Sequence, residues 1–214
     1  MDRKSTALLA TVGVVALAAA IVGLRGVLTA RDSSAEPASS RPAIIAGPPS
    51  RFEGAELPRG VRAPDFSLRD ENGRRVTMRE YRGRVVVVTF LYAHCHDTCP
   101  VQAQQIKGAL DDLGHDVPAL AVSVDPPGDT PRAIKHFDRK QGVSGRLRWV
   151  RGSEDQLRKL WKGFAIVPQS PQQEHMARIV LIDREGMQRV GFPASQTTPE
   201  RLAHDLRALE RERG

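Results

Sequence analysis

The sequence has only 2 cysteines and few aromatic residues, and both shortages exclude classes of protein. Two cysteines cannot form the framework of a disulfide-rich mini-protein, nor can they alone complete a four-cysteine zinc or iron–sulfur site. Aromatic residues make up 5% of the chain, and no clustered basic stripe accompanies the net charge of +7, which argues against nucleic-acid binding. The 214 residues are 40% hydrophobic and 27% charged, which is normal for a globular protein. We therefore expect one domain of ordinary size with a membrane or targeting segment.

An uncharged, mostly apolar run extends from Ser5 to Leu24. Twenty residues in a helix span about 30 Å, the thickness of a bilayer core. Arg3 and Lys4 precede the run, so the positive-inside rule directs the remainder of the chain out of the cytoplasm. We predict that residues 1–30 form an uncleaved, single-pass anchor in the cell membrane, with the soluble part on the extracytoplasmic side. Cleavage after residues 28–30 is the weaker alternative.

The remainder divides into a flexible linker over residues 31–59 and a domain over residues 60–214. The linker is rich in Ser, Pro, Ala and Gly and shows no periodicity. In the domain, the patterns predict a hairpin around Asn72-Gly73, buried strands over 85–92 and 119–124, and a strand pair over 178–183 and 188–191. Helices are predicted to begin at Pro100, after Thr130, after Ser153 and at Pro199.

This order of elements predicts an α/β domain. Two buried strands joined by a helix require a right-handed parallel crossover, whereas the later strand pair is antiparallel. The result is a mixed sheet flanked by helices, which fits a thioredoxin-like domain with an N-terminal hairpin extension.

Cys95 and Cys99 lie between the end of a buried strand and the start of a helix. In open α/β sheets, sites form at this edge. The amides and dipole of a helix N-terminus favour a thiolate, which is both a nucleophile and a ligand for soft metals. With three residues between them, the two sulfurs can face one point, and they could bind one ion or form one disulfide.

Histidines are the other candidate ligands. His94 and His96 flank Cys95 in the chain, whereas His175 lies in a Gln- and Pro-rich loop before the strand at residue 178. In a thioredoxin-like fold this loop runs beside the cysteine loop, so His175 and the two thiolates could converge. The other three histidines are interpreted as surface residues.

Three segments together resemble the Sco/SenC family of copper-binding assembly proteins. They are residues 92–100 (YAHCHDTCP), residues 124–131 (VDPPGDTP) and His175, eight residues before Asp183. The resemblance implies that Cys95, Cys99 and His175 bind copper and that the cysteines form a redox-active pair. It also implies a copper-receiving subunit of cytochrome c oxidase as the partner, with other copper chaperones as further partners. The family delivers copper to the dinuclear site of that enzyme or reduces its cysteines.

The sequence departs from the family pattern at two positions. His96 stands where Pro is common, and Val101 stands where Glu is common. His96 is an additional ligand, an acceptor during copper transfer or a solvated loop residue. His94 is expected to support the loop, and we interpret Asp125 and Asp129 as loop-supporting residues rather than ligands.

Other functions remain open on the residues alone. A thiol–disulfide oxidoreductase would use Cys95 to attack and Cys99 to resolve, although redox motifs of the thioredoxin type have two residues between the cysteines. A peroxidase is less well supported, because its cysteine usually lies in a different motif. A zinc site would need a fourth ligand such as His96. A plain stabilising disulfide would leave the flanking histidines unexplained.

Overall fold

The structure is a computed structural model that describes residues 50–168 and 177–212, with eight strands and four α-helices in those ranges. The strands are β1 (Ala55–Glu56), β2 (Ser67–Arg69), β3 (Arg75–Thr77), β4 (Val86–Leu91), β5 (Ala119–Ser123), β6 (Arg148–Val150), β7 (Arg178–Ile182) and β8 (Gln188–Pro193). The helices are α1 (Thr98–Leu113), α2 (Pro131–Gln141), α3 (Glu154–Gly163) and α4 (Pro199–Arg211). Short 3-10 helices cover Met78–Tyr81 and Ala194–Gln196.

Six strands form a mixed sheet in the order β1-β8-β7-β4-β5-β6. The central strand β4 runs parallel to β5 and antiparallel to β7, and all of its residues are buried. Its run of valines suits this position, because a strand covered on both faces needs apolar side chains in both directions. The helix α1 makes the parallel crossover from β4 to β5, as predicted.

Two layers cover the sheet. Helices α1, α2 and α4 pack on one face, whereas α3 and the β2–β3 hairpin pack on the other. The hairpin turns at Gly73, whose φ of 78° is the left-handed conformation that glycine adopts without steric cost. The predicted mixed sheet flanked by helices, with an N-terminal hairpin, is therefore confirmed.

Several local predictions need correction. The first helix begins at Thr98 rather than Pro100, because the side chain of Asp97 caps it and draws Cys99 into its first turn. Strand β6 was not predicted: its three residues are too few for a periodic signal, and pairing with β5 decides its conformation. The capping box formed by Ser153 and Gln156 is confirmed.

The folded part also begins before residue 60, where the linker was predicted to end. Phe52 is buried in the core, and β1 adds an edge strand to β8. The carboxylate of Asp205 on α4 accepts hydrogen bonds from the N–H groups of Glu53 (2.8 Å) and Gly54 (2.9 Å). A stretch of two paired residues carries no recognisable pattern, so these tertiary contacts could not be predicted from composition.

The predicted anchor over residues 1–30 lies outside the described residues. Across residues 50–168 and 177–212, no helix has the length and apolar character needed to cross a bilayer.

Candidate metal and thiol site

The cysteine pair lies where the central strand passes into α1. Strand β4 ends at Leu91, and the chain turns at once, since the N–H of Cys95 donates to the carbonyl of Tyr92 over 3.2 Å. Cys95 therefore lies in the loop, whereas Cys99 lies in the first turn of α1. This arrangement places a helix N-terminus directly at the pair.

Both cysteine side chains are buried, and no disulfide joins them. The N–H of Cys99 donates to the Cys95 sulfur over 3.2 Å. That sulfur also lies 3.5 Å from Oδ1 of Asp97 and 3.7 Å from Oγ1 of Thr98. The sulfur of Cys95 is thus the focus of the polar groups in this loop.

These contacts shift the pKa values of the two cysteines in opposite directions. The pKa of Cys95 is lowered to about 5, chiefly by a hydrogen bond from the Cys99 side chain, with further help from backbone N–H groups and Thr98. Burial opposes this shift. Burial is the main cause that raises the pKa of Cys99, and it also raises the pKa of Tyr92, which hydrogen-bonds to Cys95. At neutral pH Cys95 is therefore the thiolate and Cys99 the proton donor.

A buried aspartate fixes the beginning of the cysteine loop. Oδ1 of Asp129 accepts a hydrogen bond from the N–H of Ala93 over 2.6 Å, and Oδ2 accepts one from the Ser123 hydroxyl. The carbonyl of Asp129 accepts from Nε of Arg151 over 2.7 Å. Burial raises the pKa of Asp129 to about 6. The sequence identified Asp129 as loop-supporting, but it gave no sign that Ser123 and Arg151 would join it.

His94 and His96 are both exposed. His94 lies against the loop that holds Gly128: a Cβ built on Gly128 would lie 3.2 Å from Nδ1 of His94 and 2.0 Å from Oδ2 of Asp125. A larger residue at position 128 would therefore require the side chain of Asp125 to move. His94 and Asp125 therefore both lie beside Gly128 in this loop.

The third predicted ligand, His175, lies outside the described residues, as does its loop. Within residues 50–168 and 177–212, no group of three or more His, Cys, Asp or Glu side chains is placed to hold a metal ion. The structure thus brings two of the three predicted ligands together.

Thr98 is a residue of the candidate site that sequence reasoning missed. Its hydroxyl contacts the Cys95 sulfur, and its N–H is bound by the Asp97 side chain. Its position one residue before Cys99 was the available signal, since the first helical turn directs its polar groups to the same point.

A mixed sheet with a Cys-three-Cys pair at the junction of its central strand and first helix defines a thioredoxin-like domain with a thiol or metal site. The SCO1/SenC family model matches residues 55–211, which include this pair and nearly all of the described fold. The chain belongs to the SCO1/SenC family.

Relatives of known name agree with this assignment. The chain is 28% identical over 136 residues to the mitochondrial protein SCO2 of Saccharomyces cerevisiae, covering 56% of this chain and 44% of that protein. It is 28% identical over 151 residues to SenC of Rhodobacter capsulatus, covering 66% of this chain and 67% of SenC. The match thus spans less than half the length of the yeast protein. Among solved structures, ScoI of Bradyrhizobium japonicum with copper bound is 30% identical, with a TM-score of 0.57 over 69% of this chain and 99% of ScoI.

Proposed function

We propose that this protein is a membrane-tethered extracytoplasmic copper chaperone. It binds copper through Cys95, Cys99 and His175 and assists metallation of the copper site of cytochrome c oxidase. The observation that carries the proposal is the 3.2 Å hydrogen bond from the N–H of Cys99 to the Cys95 sulfur, which helps to hold a thiolate next to a second thiol. Family membership and the copper-bound ScoI structure support copper as the cargo.

The donor set fits copper by its chemistry. Thiolates select Cu(I), and imidazole suits both valences of copper. Cys95 is held as a thiolate before a metal arrives, whereas Cys99 must release its proton on binding. With His175 as a third ligand, the site has low coordination and leaves room for a ligand from the receiving protein.

The tether follows from the sequence alone. An apolar run over residues 5–24, followed by a Ser- and Pro-rich linker, would hold the domain near the extracytoplasmic face of the membrane. In that compartment the cysteine pair can be oxidised, which would remove both thiolates and prevent copper binding. The pair would then act as a redox switch for metal loading.

The test is copper stoichiometry of the reduced full chain, measured with Cu(I) and with Cu(II) against a competing chelator. We expect one chelator-resistant copper per chain. His175→Ala should lower the affinity, and either Cys95→Ser or Cys99→Ser should abolish tight binding. His136→Ala is the matched control, since His136 is exposed on α2. Equal copper affinity in the wild type and the His175→Ala variant would remove His175 as a ligand.

A thiol–disulfide reductase is the second candidate, and the lowered pKa of Cys95 favours it. The Cys95 thiolate would attack a client disulfide and release one client thiol. Cys99, after losing its proton, would then attack Cys95 and release the second client thiol, leaving a Cys95–Cys99 disulfide. An outside dithiol reductant would have to restore the pair. A readily cycled disulfide without chelator-resistant copper would favour this function over copper delivery.

A further inference from the structure

Three arginines lie side by side across neighbouring strand positions, away from the cysteine pair. Arg69 and Arg75 are directly opposite each other in the β2–β3 hairpin. Arg69 also forms a β-bridge with Arg151, with backbone hydrogen bonds of 2.8 and 3.3 Å between them. Side chains directly opposite each other in such pairs have Cβ atoms about 4.5–5.5 Å apart. The three residues therefore lie side by side on one face, and they are called here the arginine row.

The arginine row lines a cavity of about 360 Å³. The remaining lining residues are Ser67, Leu68, Gly152 and Gln156, none of which is acidic. The cavity lining thus includes a hydroxyl-bearing residue, an amide-bearing residue and three arginines, and no acidic residue.

Within the described residues, none of the three arginines forms an ion pair with a carboxylate. Each donates a hydrogen bond from one nitrogen to a neutral acceptor. Arg69 donates to the carbonyl of Gly73 (2.7 Å) and Arg75 to the Ser67 hydroxyl (2.9 Å). Arg151 donates to the carbonyl of Asp129 (2.7 Å). Each therefore keeps other N–H groups for a ligand.

Three acidic residues close to this region are paired with arginines outside the row. Arg75 also borders a second cavity, which is lined in part by Asp65 and Glu80. Asp65 lies beside Arg82, and Glu80 is bound by Arg148. Glu154, in the first turn of α3, pairs with Arg158. Like charges directly opposite in a sheet destabilise it, so the arginine row costs the ligand-free protein stability.

We propose that this cavity binds a phosphate dianion, either free or as the terminal monoester of a larger molecule. A single carboxylate would offset one of three positive charges, whereas a phosphate dianion offsets two and offers three acceptor oxygens. The planar fork of arginine matches phosphate geometry with two parallel hydrogen bonds. Ser67 and Gln156 can supply further hydrogen bonds at the rim. The site is independent of copper binding and does not rest on it.

The test is calorimetric titration of the full chain, kept in a neutral detergent, with inorganic phosphate and with glycerol phosphate. Ionic strength is held constant, because screening weakens exposed charge interactions. We expect one site, with binding that strengthens as the pH rises from 6 to 8 and phosphate becomes a dianion. Tighter binding of inorganic phosphate would identify free phosphate as the natural ligand, and tighter binding of glycerol phosphate would identify a phosphate monoester. Dimethyl phosphate and acetate, each with one charge, should bind at least about tenfold more weakly.

Two variants and a control locate the site. Arg69→Gln and Arg75→Gln should each weaken phosphate binding roughly tenfold. Arg132→Gln removes the same charge from an exposed position on α2 and should leave binding unchanged. In phosphate-free buffer, Arg69→Gln should raise the unfolding temperature, since it removes one member of a like-charged pair. Equal binding of acetate and phosphate, equal loss in the control, or binding of polyglutamate without phosphate would each overturn the proposal.

Discussion

The backbone N–H of Cys99 donates a hydrogen bond to the sulfur of Cys95 over 3.2 Å. This contact exists because α1 begins at Thr98, so the N–H of Cys99 belongs to the first helical turn and has no carbonyl partner within the helix. The sulfur occupies the place of a capping group. A sulfur that accepts such bonds is stabilised as the thiolate, and the same geometry serves metal binding and thiol exchange.

The first prediction concerns the ionisation of Cys95. The Cys95 thiolate can be followed by ultraviolet absorbance and by alkylation rate, in the wild type and in the Cys99→Ala variant. In the wild type it should titrate near pH 5. In Cys99→Ala the midpoint should rise toward the ordinary value of 9.0 without reaching it, because the backbone N–H remains. A wild-type midpoint near 9.0 would show that neither the Cys99 side chain nor the helix end stabilises the thiolate.

The second prediction concerns Asp129, which holds the N–H of Ala93 and the hydroxyl of Ser123. Asp129→Ala should lower the free energy of unfolding by roughly 2–4 kcal/mol, because a buried donor and a partly buried donor lose their acceptor. It should also speed hydrogen exchange at the Ala93 amide. Asp129→Asn keeps one acceptor oxygen and should cost less than half as much. Equal losses in the two variants would indicate that packing, rather than hydrogen bonding, explains the role of Asp129.

The third prediction concerns the segment before β2. Asp205 is fully buried and binds the N–H groups of Glu53 and Gly54. Asp205→Ala should release this segment and increase trypsin cleavage after Arg51 and Arg59, while cleavage in the hairpin after Arg74 serves as the internal reference. Uniform acceleration at all three sites would indicate global unfolding instead.

The sequence predicted most of the central fold because its signals there are local. The valine run of β4, the Asn72-Gly73 turn and the capping box at Ser153 each specify an element through neighbouring residues. Strands β1 and β6 depend on pairing with distant strands, and their two and three residues carry no periodicity.

At the site, the sequence indicated that Cys95 and Cys99 would lie close together, but not that their pKa values would differ. Cys95 and Cys99 are chemically identical in the sequence. Their pKa values differ because Cys95 accepts hydrogen bonds from the Cys99 side chain, from backbone N–H groups and from Thr98, whereas burial dominates at Cys99. The support from Ser123 and Arg151 is also tertiary, since both are distant in sequence from the cysteines. The arginine row shows the same limit, because Arg151 is distant in sequence and becomes a neighbour of Arg69 only when their segments pair.

The fourth prediction concerns Gln102, which is 1% exposed on α1. Neither polar atom of its side chain has a hydrogen-bond partner in the described part of the protein. Gln102→Met should therefore raise the free energy of unfolding by about 1–2 kcal/mol, since it removes a buried polar group at similar volume. Gln104→Met, on the exposed side of the same helix, loses a hydrogen bond to the carbonyl of Gln141 and should not raise the free energy of unfolding. Destabilisation by Gln102→Met would indicate that the amide is bound by a group such as a buried water.

The last prediction concerns Asp138, whose Oδ1 accepts a hydrogen bond from Nε1 of Trp149 over 3.0 Å. Burial, with the nearby charge of Glu71, raises its pKa to about 7 from 3.8, although the Trp149 bond opposes the shift. Between these two values the unfolded chain releases the proton that the folded protein retains. The contribution of Asp138 to stability is therefore complete below pH 3.8 and is lost as the pH rises through about 7.

Asp138→Asn keeps the acceptor for Trp149 and removes the charge. It should therefore stabilise the protein at pH 8 by roughly 1–3 kcal/mol and by progressively less toward pH 4, as measured by urea unfolding across this range. Asp116→Asn is the control, because the Asp116 side chain is 91% exposed and should give a small, nearly constant difference. If the Asp138→Asn difference did not grow with pH, ionisation of Asp138 would not limit stability. The bond to Trp149 would then be its whole contribution to the packing of α2 on β6.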